Sequence, residues 1–382
     1  MRLTHESKMR LLATFTGAWL MLLTVALLYI VTRPDPDATP APVADAGYRQ
    51  FFGGWNADPD AVEAVRGSLA DPWFSGTPAF KAFRGNDSGT VIHSDAAKMV
   101  LGHHLPARDQ GSVGSCVSFG TCSAIEYLVL IQIAAALPAP APIEYRDLVQ
   151  EAMYGLSRVE IGGGKIRGDG SVTAWAGEAA RKFGVIPRGT HSGIDLSLYS
   201  ESRCRDWGKK GLPDDLEPVA RLSPVKGITF AKTAAEVDRA IRQGYTVAVG
   251  SGIGFGNSGP YRRDKDGFLK QSGQWGHCMA VIGVRDDARK GFLFLNSWGD
   301  DWVSGPTGGY DIPPGSFWVE WKTAERMFAE GDCVIFSDAV GFPAKDPLDD
   351  WLITVPVPAR GNFVTCPVRS LKGDGVECSL AC

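Results

Sequence analysis

The chain has 382 residues, 44% of them hydrophobic and 21% charged, with a formal net charge of −4. Those proportions are those of a globular protein, and the length exceeds one ordinary core, so two or three lobes or domains are expected. The faintly acidic balance, with no basic stripe interleaved with aromatics, argues against a nucleic-acid partner.

In chain order, a short N-terminal segment, 1–10, carries Arg2, Lys8 and Arg10 and precedes an uncharged apolar run from Leu11 to Val31. At 1.5 Å per residue that run can cross roughly 30 Å of hydrocarbon. A transmembrane signal anchor is therefore expected over 11–32, with the cations on the cytoplasmic side and the rest of the chain extracytoplasmic. A cleaved signal peptide is the rival reading, since Ala44-Asp45-Ala46 resembles a cleavage site. The apolar core exceeds the usual 7 to 15 residues, however, and the site lies far beyond it. The Pro/Ala-rich stretch 33–46 reads as a semi-stiff spacer between membrane and globule.

Residues 47–105 begin with an aromatic cluster (Tyr48, Phe51, Phe52, Trp55). A helix from Asp58 with Val62, Val65 and Leu69 on one face follows, then a turn-rich stretch. This region is expected to be either an N-terminal lobe or an inhibitory prosegment. His103 and His104 are adjacent loop histidines with no carboxylate or cysteine at ligand spacing, so no metal is expected there.

The stretch Asp109-Gln110-Gly111-Ser112-Val113-Gly114-Ser115-Cys116 leads into an apolar run that ends near Leu137. It reads as a glycine-rich turn that delivers Cys116 to the first turn of a buried helix, with Ser115 as N-cap and its hydroxyl accepting from a first-turn N–H. Unsatisfied N–H groups and the helix dipole favour a thiolate there. With a histidinium partner, the thiol can fall from about 8.5 to roughly 3 to 4. Pro138, Pro140 and Pro142 end the helix. A second helical pattern runs from Ile143 to Leu156, followed by the glycine-dense loop Gly162–Gly170 and a helix near Val172–Lys182 that stops at Gly184 and Pro187.

The second half changes character. Thr233-Ala234-Ala235-Glu236 is a capping box that opens a short helix ending at Gly244, and Tyr245 to Gly250 is a run of β-formers. Gly250, Gly252, Gly254 and Gly256 lack a following helix and read as a loop instead of a phosphate cradle. Further strands are expected at His277–Val284, Gly291–Leu295 and Ser316–Trp321.

His277 begins the first of these strands and Asn296 ends the second, just before Ser297-Trp298-Gly299. Adjacent strands beginning and ending in this way place both side chains at one end of a sheet. An amide can there hold one imidazole nitrogen while the other faces a thiol, the logic of nucleophile, base and orienter.

These pieces resemble the papain family of cysteine proteases. The matching stretches are Gln110 to Cys116, Gly276-His277-Cys278-Met279-Ala280-Val281-Ile282-Gly283 and Asn296-Ser297-Trp298-Gly299. They stand in the family's order of Cys, His and Asn. The resemblance implies an α+β, papain-like two-lobe fold over 106–340, a helical lobe plus an antiparallel β-barrel-like lobe, with a polypeptide substrate in the cleft and no cofactor. It implies Cys116 as nucleophile, His277 as base and acid, Asn296 as the orienter of the histidine, and Gln110 as side-chain donor of the oxyanion hole. Trp298 corresponds to the tryptophan that covers the His–Asn hydrogen bond, and Gly168 and Gly170 approximate the glycine pair that meets substrate backbone.

The chain departs from the pattern in several places. Val113 stands where many members have a disulfide cysteine, and Val117 where an aromatic is usual. The separations of His277 and Asn296 from Cys116 exceed the roughly 130 to 150 residues usual for the family, so insertions are expected at the proline run and at Arg188–Pro224. Of the eight cysteines, Cys278 is expected to be a buried thiol. Cys366, Cys378 and Cys382 lie in a C-terminal extension, 341–382, where an oxidising compartment would allow a bridged knot. The activity expected is hydrolysis of peptide bonds. The alternatives are a catalytically silent papain-like binding protein and a thiol acyl-transferase or peptidoglycan amidase that uses the same triad.

Overall fold

The computed structural model describes residues 53–83, 88–137, 144–256 and 260–340. The expected anchor, spacer and C-terminal extension, with Cys366, Cys378 and Cys382, fall outside these residues, as does the proline run after the helix of Cys116.

The first half is helical: α1 (Pro59–Arg66), α2 (Ser94–Leu101), α3 (Cys116–Ala136), α4 (Gln150–Gly155), α5 (Thr173–Lys182) and α6 (Glu201–Lys210). Helices α7 (Ala234–Arg242) and α8 (Trp321–Ala329) belong to the second half. The strands of the main sheet are β1 (Val91–Ile92), β2 (Ile228–Phe230), β3 (Thr246–Ile253), β4 (Gln274–Arg285), β5 (Gly291–Leu295), β6 (Ser316–Glu320) and β7 (Cys333–Phe336). They form one antiparallel sheet in the order β6-β5-β4-β3-β7-β2, with β1 joined to β4.

Alternation along the strands gives this sheet two apolar faces. Ala248, Cys278, Ala280, Ile282, Leu293 and Val334 join the core built around α3. Val247, Val249, Met279, Val281, Phe292 and Ile335 join a second core with residues of α7 and α8. Helix α3 is apolar on every side because it is enclosed on every side. It is long and apolar enough to cross a membrane by length and composition, yet its most apolar window is entirely buried. Gly120 sets how closely it approaches the sheet, since a Cβ there would lie 3.0 Å from Cys278 Sγ.

Several boundaries differ from expectation. The helix expected over 143–156 starts at Gln150, because the preceding residues are tied in extended form to a neighbouring segment: Val149 N–H donates to Ile186 O and Arg188 N–H to Asp147 O. It then continues through a π-helical turn, Leu156–Ile161. Strand β3 runs to Ile253, past the point where the glycines suggested a loop, since Gly250 and Ser251 pair with Cys278 and His277. The stretch beyond Asp58 packs into both cores. Ala61, Val62, Val65, Ile92, Ala96 and Ala97 lie in one core and Phe74 and Val91 in the other, while β1 pairs with Val284 and Gly283 of β4.

Candidate active site

Cys116 is the first residue of α3 and is fully buried. Ser115 occupies the N-cap position with φ −110° and ψ 19°, but its hydroxyl makes no capping bond and instead donates to Val113 O at 3.4 Å. This corrects the expected cap. The consequence is chemical: the N–H groups of Cys116 and Val117 remain turned toward the sulfur, joined by those of Cys278 and Gly54, with Cys278 N–H donating to Cys116 Sγ at 3.3 Å.

That contact brings Cys116 against β4, where His277 precedes Cys278. His277 Nε2 lies 2.6 Å from Asn296 Oδ1, and Ser297 N–H donates to the same oxygen at 2.7 Å. Two donors converging on one atom identify it as the amide oxygen, and an oxygen there requires the proton on Nε2. The lone pair of the neutral ring is then on Nδ1, which is buried and has no hydrogen-bond partner. Trp298 packs over the imidazole with ring centroids 4.6 Å apart, and Trp275 meets its edge at 6.0 Å. Trp298 is only 4% exposed and its ring contact shields the His–Asn bond.

Gln110 is fully buried. Its Nε2 donates to Val113 O at 2.9 Å and its Oε1 accepts from Ser297 Oγ at 2.7 Å. Gln110 N–H donates to Ser297 O, so one residue next to Asn296 holds both the backbone and the side chain of the expected oxyanion donor. The turn itself is braced from the expected insertion. Tyr199 OH donates to Gln110 O at 3.0 Å, and Glu201 accepts from the N–H and hydroxyl of Ser112. Gly111, at φ 63°, has no room for a side chain because of Glu201.

A strip of the chain's own N-terminal region lies across this centre. Gly54 and Trp55 N–H both donate to Gly276 O, at 2.8 and 2.9 Å; Ser171 N–H donates to Gly54 O at 2.8 Å, and Asn56 N–H to Ser171 O at 2.9 Å. The strip is thus bonded to the residue before His277 on one side and to the residue before α5's first turn on the other. A Cβ on Gly54 would fall 2.0 Å from Gly114 O. The strip turns the Gly54 N–H toward the sulfur, an N–H that also donates to Gly276 O.

The strip's backbone partner on this side is Ser171, while Gly168 and Gly170 are bonded to Arg158 and Tyr154. Gly168 O accepts from Arg158 Nη2, and Gly170 has its N–H bonded to Tyr154 OH and its carbonyl to Arg158. Gly170 matters for space: at φ 110°, a Cβ would lie 2.1 Å from Asn56 Nδ2.

Covering the centre inverts its expected electrostatics. Burial pushes the Cys116 thiol up to about 12, against the four N–H groups that favour the thiolate. Burial likewise lowers His277 to about 4, against its bond to Asn296. The covered pair is thiol and neutral imidazole, because charge separation without water is unfavourable. Cys278 is a buried thiol, as are Cys122, Cys204 and Cys333.

Ser171, Tyr199 and Glu201 carry no motif that announces them in the sequence. The Gly53-Gly54 pair ahead of an aromatic was the one available signal for the strip.

No family model matches the chain, and no curated protein does. Among solved structures, xylellain, a cysteine protease from Xylella fastidiosa, aligns over 76% of this chain and 96% of its own at 15% identity and a TM-score of 0.46. The digestive procathepsin L 3 of Tenebrio molitor larval midgut aligns over 74% and 77% at 16% identity and 0.42. The bromelain protease from Ananas comosus aligns over 65% and 99% at 13% and 0.42. These neighbours are papain-family cysteine proteases.

Proposed function

We propose that this chain is a cysteine-type endopeptidase that is made in a latent form. The observation that carries the reading is the convergence of His277 Nε2–H and Ser297 N–H on Asn296 Oδ1, which leaves a buried basic lone pair on Nδ1, one residue before the Cys278 N–H that donates to Cys116 Sγ. Once the strip over the cleft moves aside, Nδ1 takes the Cys116 proton and the thiolate adds to a peptide carbonyl carbon. The N–H of Cys116 and Gln110 Nε2 receive the oxyanion, each such donor being worth roughly 3 kcal/mol in the transition state. His277 gives the proton to the leaving nitrogen as the C–N bond breaks, leaving a thioester. Water then yields a proton to Nδ1, adds to the thioester, and the C–S bond breaks to restore the thiolate.

Latency is the part assigned to Gly53–Asn56, with the remainder of 57–105 staying in place as part of the domain. The apolar run 11–32, acting as an uncleaved anchor, would hold the peptidase on the extracytoplasmic side of a membrane. A silent binding protein would have no use for an oriented imidazole and a braced Gln110, and acyl transfer or peptidoglycan amide hydrolysis would use the same groups on another substrate. The test is turnover of a denatured protein substrate by the full chain in detergent with Gly54→Val, set beside the same chain with Cys116→Ala. Internal peptide-bond cleavage that disappears with Cys116→Ala supports the reading. Cleavage confined to muropeptides would replace it with the amidase.

A further inference from the structure

Trp55 is the one large side chain of the strip, and it enters a recess shaped for it. Its indole Nε1 donates to Asp332 Oδ2 at 2.6 Å. Asp332 is 2% exposed. The same carboxylate accepts from Thr173 N–H on Oδ2 at 2.8 Å and from Ala174 N–H on Oδ1 at 2.7 Å, so the N-terminus of α5 fixes its position and offsets its charge. Gly250, in the middle of β3, is the opposite wall. A Cβ there would lie 2.0 Å from Trp55 Nε1 and 2.2 Å from its Cδ1. The recess opens beside the site onto a groove of about 500 Å³ bordered by Gly252, Gln274, Arg326 and Glu330.

We propose that this recess is a specificity pocket of the cleft, with Asp332 and Gly250 as its determinants, and that it selects polypeptides presenting tryptophan. The strip occupies it as a resident copy of that ligand. Gly250 makes room for a two-ring side chain in a strand otherwise rich in valine. Asp332 supplies the acceptor that an indole fills and a phenyl ring leaves without its donor, and a buried polar group left short of a partner discriminates more strongly than a change in apolar area. The consequence for substrate choice rests on the peptidase reading, whereas the pocket itself does not.

The test uses the full chain with Gly54→Val and Trp55→Ala, which remove the resident ligand, and a synthetic peptide of the sequence Gln50 to Asp58. Titration with this peptide and with its Trp55→Phe and Trp55→Arg analogues reads the pocket without any chemistry. The tryptophan peptide is expected to bind roughly fivefold or more tightly than the phenylalanine analogue, the gap expected of one hydrogen bond. Gly250→Val in the same chain is expected to abolish the difference, and Asp332→Asn to reduce it. Equal binding of the three peptides, or tighter binding of the arginine analogue, would overturn the proposal. Cleavage profiling with a peptide library separates the two readings. Tryptophan-selective binding without cleavage would keep the pocket and sink the peptidase, and cleavage blind to tryptophan, with equal peptide binding, would do the reverse.

Discussion

Gly54 and Gly114 meet backbone to backbone over the nucleophile, so closely that the space for a Cβ on Gly54 is taken by the Gly114 carbonyl 2.0 Å away. The strip can lie in the cleft only because this position is glycine. Its hold consists of a few backbone hydrogen bonds and one indole contact, each typically worth about 1 kcal/mol net.

Gly54→Val should therefore lift the strip without unfolding the domain, whose cores begin beyond it. Alkylation of Cys116 by a neutral thiol reagent should accelerate by roughly fivefold to thirtyfold, since one to two bonds of about 1 kcal/mol are lost. Stopped-flow or mass-spectrometric labelling rates check this, and an unchanged rate would mean that the strip does not limit access.

The strip had a faint sequence signal and its placement had none. The order of Cys116, His277 and Asn296 and the glycines before Cys116 were legible because each is a local pattern with a chemical reason. The alternation of β4 and β5 was legible for the same reason, as was the all-round apolarity of α3. The strip's partner Ser171 was not, because its place comes from where the loop after Arg158 is held. The start of α4 was not legible because the bonds of Val149 to Ile186 and of Asp147 to Arg188 outweigh an acceptable helical pattern. Ser115 fitted the cap preference, yet its backbone angles send the hydroxyl elsewhere.

Ser297 is expected to matter for rate although it carries no reacting atom. Ser297→Ala removes the donor to Gln110 Oε1, while the N–H that holds Asn296 is retained. The expected result is a fall in kcat with KM nearly unchanged, smaller than the loss of roughly 10² to 10³ expected for Gln110→Ala. Steady-state kinetics in the Gly54→Val background would show it, and an equal fall in both variants would contradict the assigned order.

Stability should depend on pH through His277. Its folded pKa lies near 4, below the 6.5 of an exposed imidazole. The unfolded chain then binds the proton more readily, so the contribution is complete above about 6.5 and is lost as pH falls toward 4. Urea unfolding of the wild type and of His277→Asn across this window should converge toward acid pH, the difference shrinking by up to roughly 3 kcal/mol. A constant difference would mean that the imidazole is not buried.

Cys116 has the opposite sign at the other end. Its thiol is raised to about 12 from 9.0, so the covered protein loses stability as pH rises above about 9, where the unfolded thiol ionises and the folded one does not. In the covered chain, alkylation should rise with pH beyond the neutral range. With Gly54→Val it should instead become nearly level through neutrality, as the thiolate and imidazolium form together once water enters. Parallel pH–rate curves for the two chains would contradict this.

The measurement that bears most directly on the account is covalent labelling of the full chain by a peptidyl epoxide, with the modified residue read by mass spectrometry. The wild type, Gly54→Val, and Gly54→Val with His277→Ala are compared. The account predicts slow labelling of the wild type, fast labelling at Cys116 alone in Gly54→Val, and a drop of roughly 10² or more when His277 is also removed. Labelling of Cys116 that is indifferent to His277 would contradict a working pair, and so would an unreactive Cys116 with the strip displaced.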